Sequence, residues 1–520
     1  MISVHSTICP GCSIGCGLYL MKNEAGCSVL HRKVSPVNAG KLCKFGMHLP
    51  RFYSRSRMRT TIKGRDAKAE NAVNEMREQL TTMQPDEIAF IALPGMMTNE
   101  EFAAMISLCK SLKCRNLVTG TERFPLEMHP LSKIENVQNI LLFFFDPFVQ
   151  YPLITRRILR AKERGAEVID VSFAENSREI ADKTILVDEI LGSTPPSDMG
   201  DVALNVANAL VETYEVKDAL IIADLNPMTD ARFIDAIDML STQTFLLKPF
   251  LNANGAMLLS SAMDYRCEKG IFEIVDDVRQ GRIKALYVFE PDLSLHFFSD
   301  SDLADIELLA VHGTFDSPLC RNAHITISNE PFFMRRGTVV NVEGCVLDVG
   351  GSSCESVEII SEMGGERLSY EGVHEIVRSH LGFSKKSEYE TFVGAVRSTT
   401  ASSDAETTKK RGKKAGKKAK RVRKAKDKKE NSRLLLYKTN PFFWYGIRDK
   451  NFVEISPETA RDLHLFRGES IILRSTDGGE EQMSFKITDI PPYLAISEVK
   501  LAISSRILSP VEILKAGKRG

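Results

Sequence analysis

Residues 8–16 read ICPGCSIGC and place Cys9, Cys12 and Cys16 within eight residues of a chain that has 11 cysteines in 520. A fourth, Cys43 in GKLCKFG, follows after 26 residues. Three thiols from a tight loop and one from a distant return suit a four-cysteine zinc site or an iron–sulfur cluster. Pro10, Gly11, Gly15 and Gly17 let the backbone curl so that amide N–H groups face the sulfurs, which a net-negative cluster needs more than zinc does. A zinc knuckle brings two close pairs of cysteines, and here the second pair is missing. The expectation is a [4Fe–4S] cluster, with zinc or no metal as alternatives. Cys27 falls in an alternating stretch and is expected to be a buried small side chain. Cys109, Cys114, Cys267, Cys320, Cys345 and Cys354 show no ligand spacing and are expected to be structural.

The composition, 43% hydrophobic and 26% charged, is that of a globular chain long enough for about three domains. The most apolar run, NILLFFFDPFV, is too short to span a bilayer, and the start lacks a basic segment followed by an apolar one. A reducing, cytoplasmic setting follows as the expectation, where clustered cysteines bind metal or do redox chemistry rather than form disulfides. The neutral total hides an asymmetry: residues 409–429 carry 14 Lys and Arg against one Asp. Residues 386–432, nearly free of apolar side chains toward their end, are expected to be a disordered Lys-rich linker. The strip has no aromatics to stack on bases, so a solvated linker is expected rather than a nucleic-acid contact.

Between 61 and 385 short apolar runs alternate with helical stretches. DEIAFIAL (86–93), NILLFFF (139–145), AEVIDV (166–171), DALIIAD (218–224), TFLLK (244–248), KALYVFE (284–290) and DIELLAVHG (305–313) read as buried strands. Helices are expected over 98–112, with Thr98 as cap, and over 153–165. The pattern predicts parallel, doubly wound sheets in a two-lobed body, with ligands at the carboxyl ends of the strands. Residues 433–520, with short strands, a Pro-started helix and a Gly-Gly turn, predict a small β-barrel. The expected architecture is thus a cluster domain (1–60), an α/β body (61–385), the linker and the barrel.

Taken in order, these motifs resemble the molybdopterin oxidoreductase family, which includes formate dehydrogenase large subunits and the B subunit of formylmethanofuran dehydrogenase. CPGCSIGCGL with PVNAGKLCKFG is like its N-terminal [4Fe–4S] domain. NILLFFFDPFVQYP followed by AEVIDVSFAEN resembles its strand, Asn-Pro loop and Pro-Arg-Arg-Thr loop. NANGAM, LYVFEPDLSLH and RRGTVVNVEGC are similar to further cofactor-facing segments, and VEISPETARDLHLFRGESIIL to its C-terminal dinucleotide-binding barrel of double-psi type. The resemblance implies Cys9, Cys12, Cys16 and Cys43 as cluster ligands. It implies a bis-molybdopterin guanine dinucleotide with molybdenum or tungsten facing Lys44, Asp146, Pro147, Asn254, Gly255 and Glu290. It also implies electron transfer in formate or formylmethanofuran metabolism, with iron–sulfur or flavin partner subunits.

The chain departs from that pattern at several positions. Where the family has a metal-ligating Cys or selenocysteine followed by His, this chain has Met128 and His129, and Cys114 lies upstream. Asp146-Pro147 replaces Asn-Pro, and SFAEN, with Glu175, replaces the arginines that pair with phosphate. Phe45 stands where formate dehydrogenases place a lysine, leaving Lys44 as the candidate bridge between cluster and pterin. His129 and Lys44 are the candidate catalytic residues. His296, His312 and His324 are read as loop histidines. Trp444, with Phe442, Phe443 and Tyr445, is expected in the barrel core, and Asn440 and Pro441 beside any pterin. Two versions of the function follow: a pterin–metal site with an unusual ligand, or a scaffold in which only the cluster transfers electrons, as in the homologous subunit of respiratory complex I. A binding or assembly protein using its basic strip is the alternative from another class.

Overall fold

Alternating side chains make the N-terminal residues an antiparallel sheet of β1 (Ser3–Ile8), β2 (Gly17–Asn23) and β3 (Gly26–His31), in which Ile8, Leu18 and Leu20 turn inward. The computed structural model describes residues 3–382 apart from 25, 149–150, 175–178, 192–197, 214–215, 217, 242, 268, 293–296, 299 and 366–367. It further describes 433–438 and 452–516 apart from 467, 476–479, 489, 491, 493 and 498–507. Glu175, His296, the linker 386–432 with its basic strip, and the segment holding Asn440, Pro441, Phe442, Phe443, Trp444 and Tyr445 lie outside the described residues. Among the described residues no helix is long and apolar enough to cross a membrane.

The body is two sheets interleaved in sequence. β4 (Thr61–Ile62), β5 (Arg65–Asp66), β6 (Ile88–Ala92) and β7 (Leu117–Val118) begin the first. The chain then builds a parallel five-stranded sheet from β8 (Asn139–Phe143), β9 (Glu167–Ser172), β10 (Lys183–Leu186), β11 (Leu220–Asp224) and β12 (Thr244–Leu247). It returns to the first with β13 (Ala285–Phe289), β14 (Leu308–Gly313) and β15 (Ile325–Ser328). The orders are β10-β9-β8-β11-β12 and β5-β4-β15-β14-β13-β6-β7. Strand order therefore reverses between β8 and β11 in one sheet and between β6 and β13 in the other, the two places where such sheets open a crevice. The expected strands are all present, with ends that shift by one to three residues; the one expected over 166–171 runs from Glu167 to Ser172. Thr98 caps helix Asn99–Ser111, accepting from Glu101 N at 3.1 Å while the Glu101 carboxylate accepts from Thr98 N at 2.8 Å.

A short hairpin, β16 (Thr338–Val340) and β17 (Val346–Asp348), precedes the C-terminal barrel. There β18 (Arg433–Lys438), β19 (Phe452–Ile455), β20 (Ser470–Ser475), β21 (Glu480–Ile487), β22 (Leu494–Ser497) and β23 (Leu508–Lys515) close in the order β18-β22-β19-β21-β20-β23. Ile490, Leu494, Ile496 and Leu508 share a core with the five-stranded sheet, so the barrel packs on that lobe.

Two readings of single residues change, those of His312 and Cys27. His312 lies inside β14, fully buried, with Nδ1 at 2.7 Å from the Tyr287 hydroxyl, and burial lowers its pKa to about 3. His324 precedes β15 and accepts from Leu309 N at 3.0 Å, so both histidines are structural. Cys27 is half-buried, because β3 is an edge strand covered on one side only. Cys109 and Cys114 are buried, whereas Cys267, Cys320, Cys345 and Cys354 are half-buried.

Buried cations hold the strand ends. Arg335, 1% exposed, pairs with Glu290 beyond β13 and with Glu101 at 3.3 Å, and donates to Met96 O at 2.8 Å and Thr314 Oγ1 at 2.6 Å. One guanidinium thus crosses the β6/β13 switch point. Lys248, 1% exposed at the end of β12, donates to Asn254 Oδ1 at 3.0 Å and Glu127 O at 3.2 Å, and burial lowers its pKa to about 8. Arg335→Ala, by stranding two buried carboxylates, is expected to cost about 3–5 kcal/mol in urea unfolding; a loss below about 1 kcal/mol would contradict this network. The unfolded chain holds the Lys248 proton more tightly than the native one. Its burial therefore costs stability below pH 8, and the cost fades as pH rises toward 10.5. Relative to Lys248→Met, the wild type is expected to gain on the order of 3 kcal/mol across that window, read by unfolding at stepped pH.

Candidate metal centre

A loop of cysteines joins β1 to β2. Its neck is closed by Cys9 N donating to Cys16 O at 2.8 Å. Gly15 takes φ +70°, and a Cβ there would meet Leu347 at 2.8 Å and Asn341 at 3.2 Å, so only glycine lets the loop lie against the body. Asn38 brings in the distant thiol. Its Oδ1 accepts from Gly17 N at 3.0 Å, and its Nδ2 donates to Gly17 O at 3.1 Å and Lys41 O at 2.6 Å. One side chain thus ties the strand that leaves Cys16 to the segment that enters Cys43. Cys43 in turn caps helix Lys44–Met47.

Burial pushes all four thiols above the ordinary range, and Cys43 repels Cys9, Cys12 and Cys16. The fourth thiol therefore stands with the first three. Backbone amides oppose the rise: those of Gly11 at Cys9, Ile14 at Cys12, and Phe45 and Gly46 at Cys43. Buried thiols that repel one another keep their protons unless positive charge sits among them, and iron would supply that charge. Among the described residues the buried Tyr53 hydroxyl has no hydrogen-bond partner, and it feels Cys9. Amide donors and an orphan hydroxyl around four sulfurs fit a [4Fe–4S] cluster. A single zinc ion needs its sulfurs about 4 Å apart. Among the described residues no three His, Cys, Asp or Glu side chains group to hold one ion, and a cubane, with each thiolate on its own iron, does not ask for it.

The loop rests on the β8/β11 switch point. Cys12 feels Asp224, the last residue of β11, and the Tyr151 hydroxyl donates to Lys248 O at 2.9 Å and to Asp224 Oδ1 at 3.3 Å. From the other side Asn341 Nδ2 donates to Ile14 O at 3.0 Å and accepts Asn254 Nδ2 on its carbonyl at 2.8 Å. Asn254 is therefore part of the floor under the cysteines. His129 is half-buried, and burial, then Lys133 and Lys248, lower its pKa to about 4. A Cβ at Gly344 would meet Met128 Sδ at 3.0 Å. A chain of contacts thus runs from the loop through Asn341 and Asn254 to Lys248, which His129 feels, whereas Lys44 is exposed and Glu290 lies on the other sheet.

The residues where a pterin dinucleotide would be held give few donors. Phe144 and Glu290, each the first residue after a central strand, take left-handed backbone (φ 51° and 47°). Phe144 packs on Phe173 with centroids 5.3 Å apart, and Glu290 is committed to Arg335 and Thr314. Asp146 Oδ1 accepts from Phe148 N at 3.0 Å and Pro147 O from Thr155 at 2.6 Å. A Cβ on Gly255 would lie 2.1 Å from both Asn252 and Asn99 Oδ1. These residues do not present a phosphate-binding set. Tyr151, Arg335 and Asn341 lie within segments that carry the resemblance and Lys248 closes the apolar run TFLLK, but the sequence singles out none of the four.

Residues 2–55 match the family described as Molybdopterin oxidoreductase Fe4S4 domain. Over 188 residues the chain is 33% identical to F420-dependent formate dehydrogenase subunit alpha of Methanocaldococcus jannaschii, a stretch covering 32% of this chain and 28% of that protein. Over 187 residues it is 27% identical to F420-dependent formate dehydrogenase 1 subunit alpha of Methanococcus maripaludis, covering 31% and 27%. The match thus spans less than a third of these curated relatives. Acetylene hydratase from Pelobacter acetylenicus shares the fold, with a TM-score of 0.57 over 95% of this chain and 92% of that one at 11% identity. The Fe4S4 domain brings a [4Fe–4S] cluster, and a molybdenum or tungsten pterin is the further cofactor class of such proteins. The N-terminal residues thus match molybdopterin oxidoreductase Fe4S4 domains, part of the chain is similar to formate dehydrogenase alpha subunits, and the fold is shared with acetylene hydratase.

Proposed function

We propose that the chain is an iron–sulfur redox subunit that passes electrons through a cluster held by Cys9, Cys12, Cys16 and Cys43. Its setting is one-carbon metabolism, the interconversion of carbon dioxide with formate or a formyl group, in a multisubunit complex of the reducing cytoplasm. The observation that carries this reading is the strap of Asn38, which gathers Cys43 to the Cys9–Cys16 loop inside the matched N-terminal residues. The relatives named as formate dehydrogenase alpha subunits support the substrate class and the partner subunits. The cluster moves single electrons; the protein supplies buried sulfurs, amide donors and a neighbouring carboxylate, Asp224, all of which set its potential. The parallel pairs β18–β22 and β19–β21 in an otherwise antiparallel barrel support a double-psi type for the C-terminal domain.

A second version is favoured by Met128, Phe144 and Glu290. A neutral thioether stands in place of a thiolate ligand, and bulky side chains occupy the two left-handed strand ends. In that version the cluster alone is redox-active and the α/β body is its scaffold.

Anaerobic purification with iron, sulfide, molybdenum, tungsten and pterin analysis separates the versions. Iron and sulfide in equal amount, with a low-temperature EPR signal on reduction, are expected in both. Stoichiometric pterin with molybdenum or tungsten selects the first version, and its absence selects the scaffold. Cys43→Ser is expected to lose most of the iron and the EPR signal, while Cys354→Ser keeps both. Iron-free protein, or full iron in Cys43→Ser, would contradict the reading.

A further inference from the structure

The cluster module is basic in a chain that is otherwise acidic. Residues 1–60 hold nine Lys and Arg against Glu24 alone. With the Lys-rich strip also set aside, the rest of this neutral chain carries a surplus of about 21 negative charges. Among the described residues Arg55 pairs with Asp292 at 2.6 Å, Arg59 with Asp66 at 3.1 Å and Arg57 with Glu330 at 3.9 Å. Lys33, Lys41 and Arg156 are exposed, and among the described residues none has a carboxylate partner.

These three line one open cleft of about 470 Å³ together with His31, and Cys43 forms part of the same wall. Left-handed turns at Ala39 (φ 46°) and Gly40 (φ 76°) fold the segment back. A Cβ on Gly40 would lie 3.2 Å from the Lys33 backbone, so Lys33 and Lys41 are held at one lip. Arg156 reaches the opposite lip from helix Pro152–Glu163. Cys43, half-buried in this wall, is the thiol through which the proposed cluster would be approached from the cleft.

We propose that this cleft is the docking surface for an acidic electron-transfer protein of the [2Fe–2S] ferredoxin class, which exchanges electrons with the cluster past Cys43. The proposal rests on the redox reading of the cluster. An acidic partner is repelled by most of this chain and drawn to the basic module, which favours one orientation. The cations sit on two separate segments, and the surplus of charge extends over the whole module. Both features suit a protein surface better than a small anion.

The test uses the full chain with its cluster oxidised, mixed in stopped flow with reduced plant-type [2Fe–2S] ferredoxin. One electron leaves the ferredoxin and reduces the cluster, with no proton moved. The second-order rate is expected to fall steeply with salt in the wild type. In Lys33→Glu/Lys41→Glu/Arg156→Glu it is expected to drop about tenfold or more at low salt and to lose its salt dependence. Lys33→Gln/Lys41→Gln/Arg156→Gln is expected to fall in between. Reduction by a small dye and the EPR spectrum stay unchanged in both variants. Ferredoxin bound to the Lys-rich strip would leave the rate untouched by these substitutions, and an unchanged rate overturns the proposal. So does an equal loss with the dye.

Calorimetric binding of oxidised ferredoxin separates the two claims. Binding that the substitutions abolish in a chain lacking iron upholds the docking surface and sinks the redox reading. Binding of inorganic pyrophosphate that the substitutions abolish, with ferredoxin binding intact, makes the cleft a small-anion site and overturns the proposal.

Discussion

Four thiols packed together out of water are a stable arrangement only as neutral groups or around a cation. Each raises the cost of ionising the others, and burial raises it further. The N-terminal module accepts that cost in order to place the sulfurs. Asn38 closes the gap between Gly17 and Lys41, and Gly15 leaves room for Leu347 and Asn341, so loop, return and body are fixed against one another. The backbone amides aimed at the sulfurs are the other half of the design. They favour the charged form that a metal demands.

The body extends this logic. Its two sheets, one parallel and one parallel apart from the antiparallel edge strands β4 and β5, each reverse strand order once; Cys12 feels Asp224 at one reversal, where Tyr151 joins Asp224 to Lys248. At the other reversal Arg335 and three carboxylate-bearing or hydroxyl neighbours satisfy each other, so that switch point is held by the protein's own charges. The bulky left-handed residues Phe144 and Glu290 mark both places as ones where local backbone preference gave way to the fold.

Much of this was legible in the sequence, for identifiable reasons. The cysteine spacing is local, and so is the Thr98 cap; both depend on residues a few positions apart. Apolar runs of four to seven residues between helical stretches fixed the parallel sheets, because strands buried on both faces lack polar alternation. What stayed hidden is long-range. Arg335 looks like one of two adjacent surface arginines until the chain brings Glu101 and Glu290 to it. His312, read as a loop histidine although it falls in the expected strand DIELLAVHG, completes β14 against Tyr287. Lys44 follows a cluster cysteine, but a helix begins there and points it outward, while Lys248, some two hundred residues away, is the lysine beneath the loop.

Iron X-ray absorption on protein purified without oxygen bears most directly on the four-sulfur arrangement. The account predicts sulfur scatterers around each iron together with a short iron–iron shell. A lone zinc–sulfur shell near 2.3 Å, or iron without an iron neighbour, would contradict it.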